Sequence, residues 1–250
     1  MIGGVGGLAV GVRKAAIARA RRANPELVVT WDQPAYSPAS ALVNESETAD
    51  TLVVGARGMS AVAGLLLGSV SIQVAAHARC PVVVVHEPPT PTSEDAPVVV
   101  GVDGSVSSTN AIAYAFEQAS SRFVGLTVVH ARWLDRLTRS SASAIWPLGW
   151  QTFAQEERAL VAESLAGWQE KYPDATVRRH NVRELPVEAL LRLGDPACMF
   201  FVGSIGLGRF GRPRLASVTP VEITRTAFPC TACNGPTSAT HERHASKPGV

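Results

Sequence analysis

The sequence predicts an α/β protein in which two related parallel-sheet domains follow one another. Three observations support this fold class. Runs of β-branched residues alternate with helical patterns, which is typical of parallel strands covered by helices. A segment with four prolines and three carboxylates, 87–97, interrupts the alternation. Beyond it the alternation starts again, and part of the sequence repeats.

Composition excludes several classes of protein. Hydrophobic residues make up 46% of the 250 residues, enough to build folded cores rather than a disordered chain. The net charge of +2 gives no support for nucleic acid or an anionic membrane as partner. No apolar run reaches the roughly 18–20 residues of a membrane span, and the N-terminal charges follow the apolar stretch instead of preceding it. Four cysteines in this length make no disulfide framework, so we expect a cytoplasmic protein.

The elements before the proline-rich segment form one set. Helices are predicted over 13–22, 38–46 and 69–78, and strands over 26–31, 51–54 and 81–86. Glycine and small residues dominate the loop 55–68, which joins a strand to a helix.

The elements after it form a second, longer set. Strands are predicted over 98–103, 123–130, 176–182 and 199–202, and helices over 107–120, 151–171 and 186–193. The stretch 132–150 is predicted to be a loop with three tryptophans, and a second glycine-rich loop starts at 203. We therefore expect a domain at 1–87, a linker at 88–97, a second domain at 98–229 and a disordered tail at 230–250.

An internal repeat relates the two domains. Residues 38–70 align with 186–218 without a gap, and ten of these 33 positions are identical, where chance gives about two or three. Residue 1 then corresponds to 149, so the first domain has no counterpart of 98–148. Without its first two strands, the predicted strand 26–31 has no neighbour to pair with.

The glycine-rich loop of the first domain has the composition of an anion-binding loop. Gly55 and Gly58 permit tight turns and close approach of a ligand to the backbone. Ser69 stands at the start of the following helix, where unpaired N–H groups favour a phosphate. Ser69 is alternatively a helix cap, with no ligand involved.

These residues resemble the universal stress protein family. The motif Gly55-x2-Gly58-x9-Gly68-Ser69-Val70 is followed by a helix and Cys80-Pro-Val-Val-Val-Val, and the second domain opens with VVVGVDGS and LTVVHARW. The resemblance implies two flavodoxin-like (adenine-nucleotide alpha hydrolase-like) doubly wound sheets of order 3-2-1-4-5. It also implies ATP, with or without Mg²⁺, at the carboxyl ends of strands 1 and 4.

The resemblance further implies a set of nucleotide-binding residues. Asp103 would face the adenine and Gly101 would share its pocket, while the glycine-rich loops would hold ribose and phosphates. The loop residues are Gly55, Ala56, Arg57, Gly58, Met59, Ser60, Ala61, Gly68, Ser69 and Val70 in the first domain, and Gly203, Gly206, Ser217 and Val218 in the second.

Both predicted sites depart from the family pattern. In the second domain Ala216 replaces the third glycine, Arg209–Arg214 contains three arginines, and a polar segment from Cys230 replaces the last apolar strand. The first domain has a complete loop but no strand to supply its aspartate. We expect weak ATP binding at the second domain and none at the first.

The predicted function is that of an adenine-nucleotide-binding regulator in the stress response, with no catalytic residue. No base and nucleophile stand together near either loop, so at most slow hydrolysis is expected. A degenerate interaction module of the same fold is the alternative. A transferase of a related fold would require catalytic residues that the sequence does not offer.

Three further features bear on partners. The valine run 82–85 has no apolar counterpart after Cys230, so we expect an exposed strand edge and a homo-oligomer formed through it. Cys230, Cys233, His241 and His244 have compact spacing for zinc, but a disordered tail explains them as well, and no metal site is predicted. His130 ends a strand near the predicted pocket, in a structural role or as a ligand contact.

Overall fold

The computed structural model describes residues 3–56, 68–85, 93–131, 146–195, 197–207, 213–215 and 230–233. Two compact units, 1–37 and 38–250, make up the chain. None of the helices in the described ranges is long and apolar enough to cross a membrane.

The first unit is a helix followed by a segment without regular structure. Helix α1 (Gly3–Ala23) begins ten residues before the predicted start, and the guanidinium of Arg13 lies 3.8 Å from the ring centre of Trp31. The predicted strand 26–31 is wrong, because these residues enter no sheet. Val28 is 88% exposed and Trp31 58% exposed. A β-branched segment with no neighbouring strand has no ladder to join, whatever its propensity.

The second unit carries the remaining elements. Its helices are α2 (Pro38–Glu45), α3 (Ser69–His77), α4 (Val106–Arg122), α5 (Trp146–Ser164), α6 (Trp168–Lys171) and α7 (Pro186–Gly194). Its strands are β1 (Leu52–Gly55), β2 (Val82–Val85), β3 (Val98–Gly101), β4 (Leu126–Ala131), β5 (Val177–Val182), β6 (Met199–Gly203), β7 (Ile205–Leu207), β8 (Pro213–Leu215) and β9 (Cys230–Cys233).

One sheet of seven described strands has the order β1-β2-β9-β6-β3-β4-β5. Strands β1 and β2 belong to the first repeat, and the other five strands belong to the second repeat. From β9 to β5 every neighbouring pair is parallel. With β3 as strand 1 of the repeat, β4 and β5 are strands 2 and 3, and β6 and β9 are strands 4 and 5. The second repeat therefore has the predicted flavodoxin-like order 3-2-1-4-5.

The junction between the repeats corrects two expectations. Strand β2 pairs antiparallel with β9, with Val82 opposite Ala232 and Val84 opposite Cys230. Since β2 also pairs with β1, it is not an exposed edge, and the oligomer expected through 82–85 loses its physical basis. Residues 230–233, assigned to the disordered tail, form β9, because ladder hydrogen bonds use the backbone and do not require apolar side chains.

Two cores lie on opposite faces of the sheet. One face packs against α2, α3 and α7 through side chains such as Val74 and Leu190. The other packs against α4 and α5 through Ile112, Phe116 and Val161. Phe116 is fully buried, and burying such a side chain contributes about 1.5–3 kcal/mol.

Helices α5 and α6 differ from the prediction in their bounds. The predicted helix 151–171 is two helices, because Gly167 with φ +78° separates α5 from α6. Helix α5 also takes in 146–150, which was predicted to be loop. In the proline-rich segment, the described part 93–97 has Ala96 buried.

Candidate functional site

An open cleft lies where β3, β4 and β6 end. It contains Gly101, Asp103 and Gly203, three residues predicted for the site. The neighbouring strands β3 and β6 are the switch point of a doubly wound sheet, the general location for ligands in this fold class. The other lining residues are Val102, Ser108, Val129, Ala131, Pro186, Leu190 and Val202.

The turn from β3 into α4 positions Asp103. Its Oδ1 accepts a hydrogen bond from the N–H of Ser105, 2.9 Å away, and Gly104 between them has φ +81°. Ser105 is the N-cap of α4, where its hydroxyl accepts the N–H of Ser108 at 3.1 Å. An aspartate followed by glycine and a capping serine thus forms a tight turn that holds the carboxylate beside the cleft.

Gly203 is required by packing. A Cβ at Gly203 would lie 2.9 Å from the backbone carbon of Ser107 and 2.9 Å from the N atom of Ser108. The end of β6 therefore touches the first turn of α4 directly. A Cβ at Gly101 would lie 3.3 Å from Leu190, at the wall of the cleft.

His130 has a structural contact beside the cleft. It is 5% exposed, and its Nδ1 lies 2.7 Å from the carbonyl oxygen of Val102. Its Nε2 is buried without a hydrogen bond, 4.0 Å from a carboxylate oxygen of Glu157. His130 itself does not line the cleft, whereas its neighbours Val129 and Ala131 do.

Sequence reasoning missed most of the apolar wall. Strand alternation around His130 could have assigned Val129 and Ala131 to the same face. Leu190 belongs to an amphipathic helix, α7, that begins with Pro186. Which side of α7 faces the cleft depends on tertiary packing. Ser108 was missed because it lies in the first turn of α4, beyond the strand-to-helix turn that the motif marks.

The first-repeat loop is described only at its ends. The N–H of Gly68 donates to the carbonyl of Ala56 at 2.7 Å, and the hydroxyl of Ser71 donates to the carbonyl of Gly55 at 2.7 Å. Gly68 is the N-cap of α3 and offers no side-chain hydrogen bond. Ser69 is the first helical residue, so the alternative that it caps the helix is wrong.

The structure does not bring the two predicted loops together. Strand β1 is parallel to β2, β2 is antiparallel to β9, and β9 is parallel to β6 and, through it, to β3. The carboxyl ends of β1 and β3 therefore lie at opposite ends of the sheet. Gly55 and Ser69 belong to one end, and Asp103 and Gly203 to the other, so these described residues of the two repeats do not share one site.

The second predicted loop contains a hairpin. Strands β7 and β8 pair antiparallel, with Gly206 opposite Arg214, so Gly206 lies in a ladder and not in a free loop. The other predicted or weighed positions lie outside the described residues: Arg57, Gly58, Met59, Ser60, Ala61, Arg209, Arg212, Ala216, Ser217, Val218, His241 and His244.

No group of three or more metal-ligating side chains occurs within the described ranges. Cys80 and Cys198 are free thiols. Burial raises the pKa of both above the usual value, and for Cys198 the nearby Arg122 acts in the opposite direction. Neither thiol is therefore activated as a nucleophile.

Comparison with known proteins agrees with this architecture. A sequence model of the universal stress protein family matches residues 7–86 and 96–231. A universal stress protein of Mycobacterium bovis is 40% identical over 190 residues, which cover 75% of this chain and 60% of that protein. One from Mycobacterium tuberculosis is 39% identical over 209 residues, covering 82% of this chain and 68% of the relative.

The chain thus spans about 60% of the length of the Mycobacterium bovis relative. Among solved structures, a universal stress protein from Archaeoglobus fulgidus has a TM-score of 0.64 at 22% identity, and the match covers 93% of this chain and 78% of that one. The first matched segment contains β1 and β2, and the second contains β3 to β8 and the start of β9. The chain belongs to the universal stress protein family.

Proposed function

We propose that the cleft of the second repeat binds an adenine nucleotide, ATP in the first instance, and that the protein is a regulator in the stress response. The observation that carries the proposal is the convergence of Gly101, Asp103 and Gly203 in one cleft at the switch point of the sheet. Free thiols at Cys80 and Cys198 support a cytoplasmic location.

The lining of the cleft suits a nucleoside. Val129, Leu190 and Val202 supply apolar contact for a planar base. The carboxylate of Asp103 is an acceptor, and the amino group of adenine and the hydroxyls of ribose are donors. Gly101 leaves the floor of the cleft without a side chain. Magnesium would be held by the phosphates of the bound ATP.

We expect regulation rather than turnover. Among the described residues of the lining there is one carboxylate, Asp103, and one hydroxyl, Ser108. The hydroxyl of Ser108 donates to the carbonyl of Ser105 at 2.9 Å, so this hydrogen bond goes to the backbone and not to a general base. Hydrolysis by positioning alone would be slow.

Isothermal titration calorimetry with ATP tests the proposal. Asp103→Ala should weaken binding about tenfold, the effect of losing one charged hydrogen bond. Asp95→Ala removes an exposed carboxylate from the linker and serves as the control. Ala216→Gly should tighten binding, because it restores the third glycine of the family pattern.

Two outcomes would decide against the proposal. The first is no heat of binding with either the wild type or Ala216→Gly, and the interaction module would then be the better assignment. The second is equal weakening by Asp103→Ala and Asp95→Ala, which would show that the nucleotide does not bind beside Asp103. Measurable turnover of ATP would instead favour an enzyme.

A further inference from the structure

A buried histidine beside the cleft has one ring nitrogen without a hydrogen bond. The side chain of His130 is 6% exposed, and its Nε2 has no hydrogen-bond partner. Its other nitrogen, Nδ1, lies 2.7 Å from the carbonyl oxygen of Val102. A carbonyl oxygen can only accept, so Nδ1 carries the proton of the neutral ring and Nε2 carries a lone pair. Nε2 is therefore a buried acceptor that lacks a donor, which is an unfavourable arrangement.

The group that faces this nitrogen is a carboxylate. The side chain of Glu157 in α5 is 13% exposed, and its Oε1 lies 4.0 Å from Nε2 of His130. While the ring is neutral both atoms are acceptors, so no hydrogen bond can join them. A proton on Nε2 would make the ring a positively charged donor, and the pair could then form a charge-assisted hydrogen bond. One proton would thus give Nε2 a partner and leave the pair without net charge.

Glu157 is the charged group that acts on Nε2 at close range. Among the described residues, the titratable or charged side chains on the same side of the sheet, or at the end of the strand that the ring contacts, are Glu157 of α5, Arg179 of β5, Tyr114 of α4 and Asp103 after β3. Arg179 is exposed and donates to Gln169. A tyrosine carries no charge near neutral pH. The residue of β5 opposite His130 is Asn181, which is neutral.

The ring is joined to the cleft through the residues around it. Both sequence neighbours of His130 line the cleft, and so does Val102, whose carbonyl His130 holds. Asp103 also lines the cleft. While His130 is neutral, the carboxylates of Asp103 and Glu157 place one negative charge in the cleft and one behind its wall. A proton on Nε2 offsets one of these charges, and this favours an anionic ligand.

We propose that ATP binding in the cleft is coupled to the uptake of a proton at Nε2 of His130. The proton comes from the solvent and is accepted by the lone pair of Nε2, while Nδ1 keeps its own proton and no covalent bond of the protein breaks. Histidine is the side chain whose protonation ordinarily changes between about pH 5 and 8, so affinity for ATP should rise as the pH falls through this range. The inference rests on the proposed nucleotide site and adds a response to pH.

Calorimetry with ATP at pH 7, in PIPES and in Tris, measures the protons taken up on binding, because the two buffers differ in ionisation enthalpy. ATP also changes its own protonation, so the readout is the difference between wild type and His130→Asn. Asparagine retains a side-chain N–H for the carbonyl of Val102 but has no nitrogen that accepts a proton. Wild type should take up about half a proton more per ATP. Between pH 8 and pH 6 its affinity should rise about fivefold more than that of the variant.

A second pair of variants tests the carboxylate. Glu157→Gln removes the charge and offers an amide N–H to the lone pair of Nε2, so the extra proton uptake should disappear. Glu156→Gln changes an exposed neighbour on the same helix and should behave like wild type. Nitrogen-15 NMR of the wild-type His130 ring reads the same event without a variant. The ligand-free ring should show the proton on Nδ1, and ATP at constant pH should shift the Nε2 signal toward that of an imidazolium.

Three results would overturn the coupling while leaving ATP binding in place. One is equal proton uptake by wild type and His130→Asn. Another is a ligand-free ring that carries its proton on Nε2. The third is an equal loss of proton uptake in Glu156→Gln and Glu157→Gln. The absence of any heat with ATP, in both buffers, would instead overturn the nucleotide site and the coupling together.

Discussion

At Gly203, the absence of a side chain reflects packing of the protein against itself. The first turn of α4 occupies the position that a Cβ would take. Gly55 has the same place in the repeat, but none of the described helices takes the place of α4 there, and Gly55 is exposed. One motif glycine is therefore constrained by the neighbouring helix, and the other lacks that constraint. A motif shared by two repeats does not by itself mean a shared role.

Alanine substitutions at the two glycines should differ in their effect. Gly203→Ala should lower the free energy of unfolding by about 1–3 kcal/mol, because the new methyl overlaps the backbone of Ser107 and Ser108. Gly55→Ala, the matched control, should change it by less than about 0.5 kcal/mol. Urea denaturation measures both. Equal effects at the two positions would contradict the packing explanation.

His130 should be important for stability even though it does not line the cleft. His130→Ala removes a buried ring and the hydrogen bond to the carbonyl of Val102, and should cost about 2–4 kcal/mol. His180 lies on the neighbouring strand β5, is only half-buried, and serves as the control. His180→Ala should cost less than about 1 kcal/mol. A thermal melt in which His130→Ala matches wild type would show that the hydrogen bond contributes nothing.

Among the elements, β9 determines how the two repeats are connected. It pairs antiparallel with β2 on one side and parallel with β6 on the other. Its sequence, Cys-Thr-Ala-Cys, lacks the valine run of its counterpart β2, and this is why a tail was predicted. A strand in the middle of a sheet needs a neighbour on each side whose backbone groups can pair with its own. For β9 these neighbours are β2 and β6.

Amide exchange should follow these pairings. Amides of 82–85 should exchange as slowly as those of 98–101, because β2 is bonded on both sides. Amides of 26–31 should exchange orders of magnitude faster, because they join no ladder. Mass spectrometry of peptic fragments resolves the three segments. Fast exchange at 82–85 would contradict the β2–β9 pairing, and slow exchange at 26–31 would reveal a partner for that segment.

For the whole molecule, the antiparallel junction relates the repeats by an approximate two-fold axis through the sheet between β2 and β9. It follows that the carboxyl end of β1 and that of β3 lie at opposite ends of the sheet. Each repeat must then build its own site from its own residues. The second repeat has the strand that carries Asp103, and none of the described strands takes that place in the first.

Nucleotide stoichiometry should therefore be one per chain. In calorimetry with ATP, the fitted number of sites should be close to one, and Asp103→Ala should weaken binding at that site about tenfold. Exchange of amides in 101–108 should slow on ATP addition, while amides of 55, 56 and 68–70 should not change. Two sites per chain, or protection confined to 68–70, would place the nucleotide at the first repeat instead.

The sequence by itself determined the local pattern of this protein: alternating strands and helices, the repeat between 38–70 and 186–218, and the residues at the ends of β3 and β6. The first two follow from periodicity and spacing, which are properties of the sequence itself, whereas the residues at the strand ends were implied by the resemblance to the family. Tertiary structure alone decided three things. The pairing of β9 with β2, the failure of 26–31 to form a strand, and the apolar wall around Leu190 all depend on which neighbour is present. Hydrogen bonds between strands and contacts across a core join residues far apart in the chain, and no local pattern specifies them.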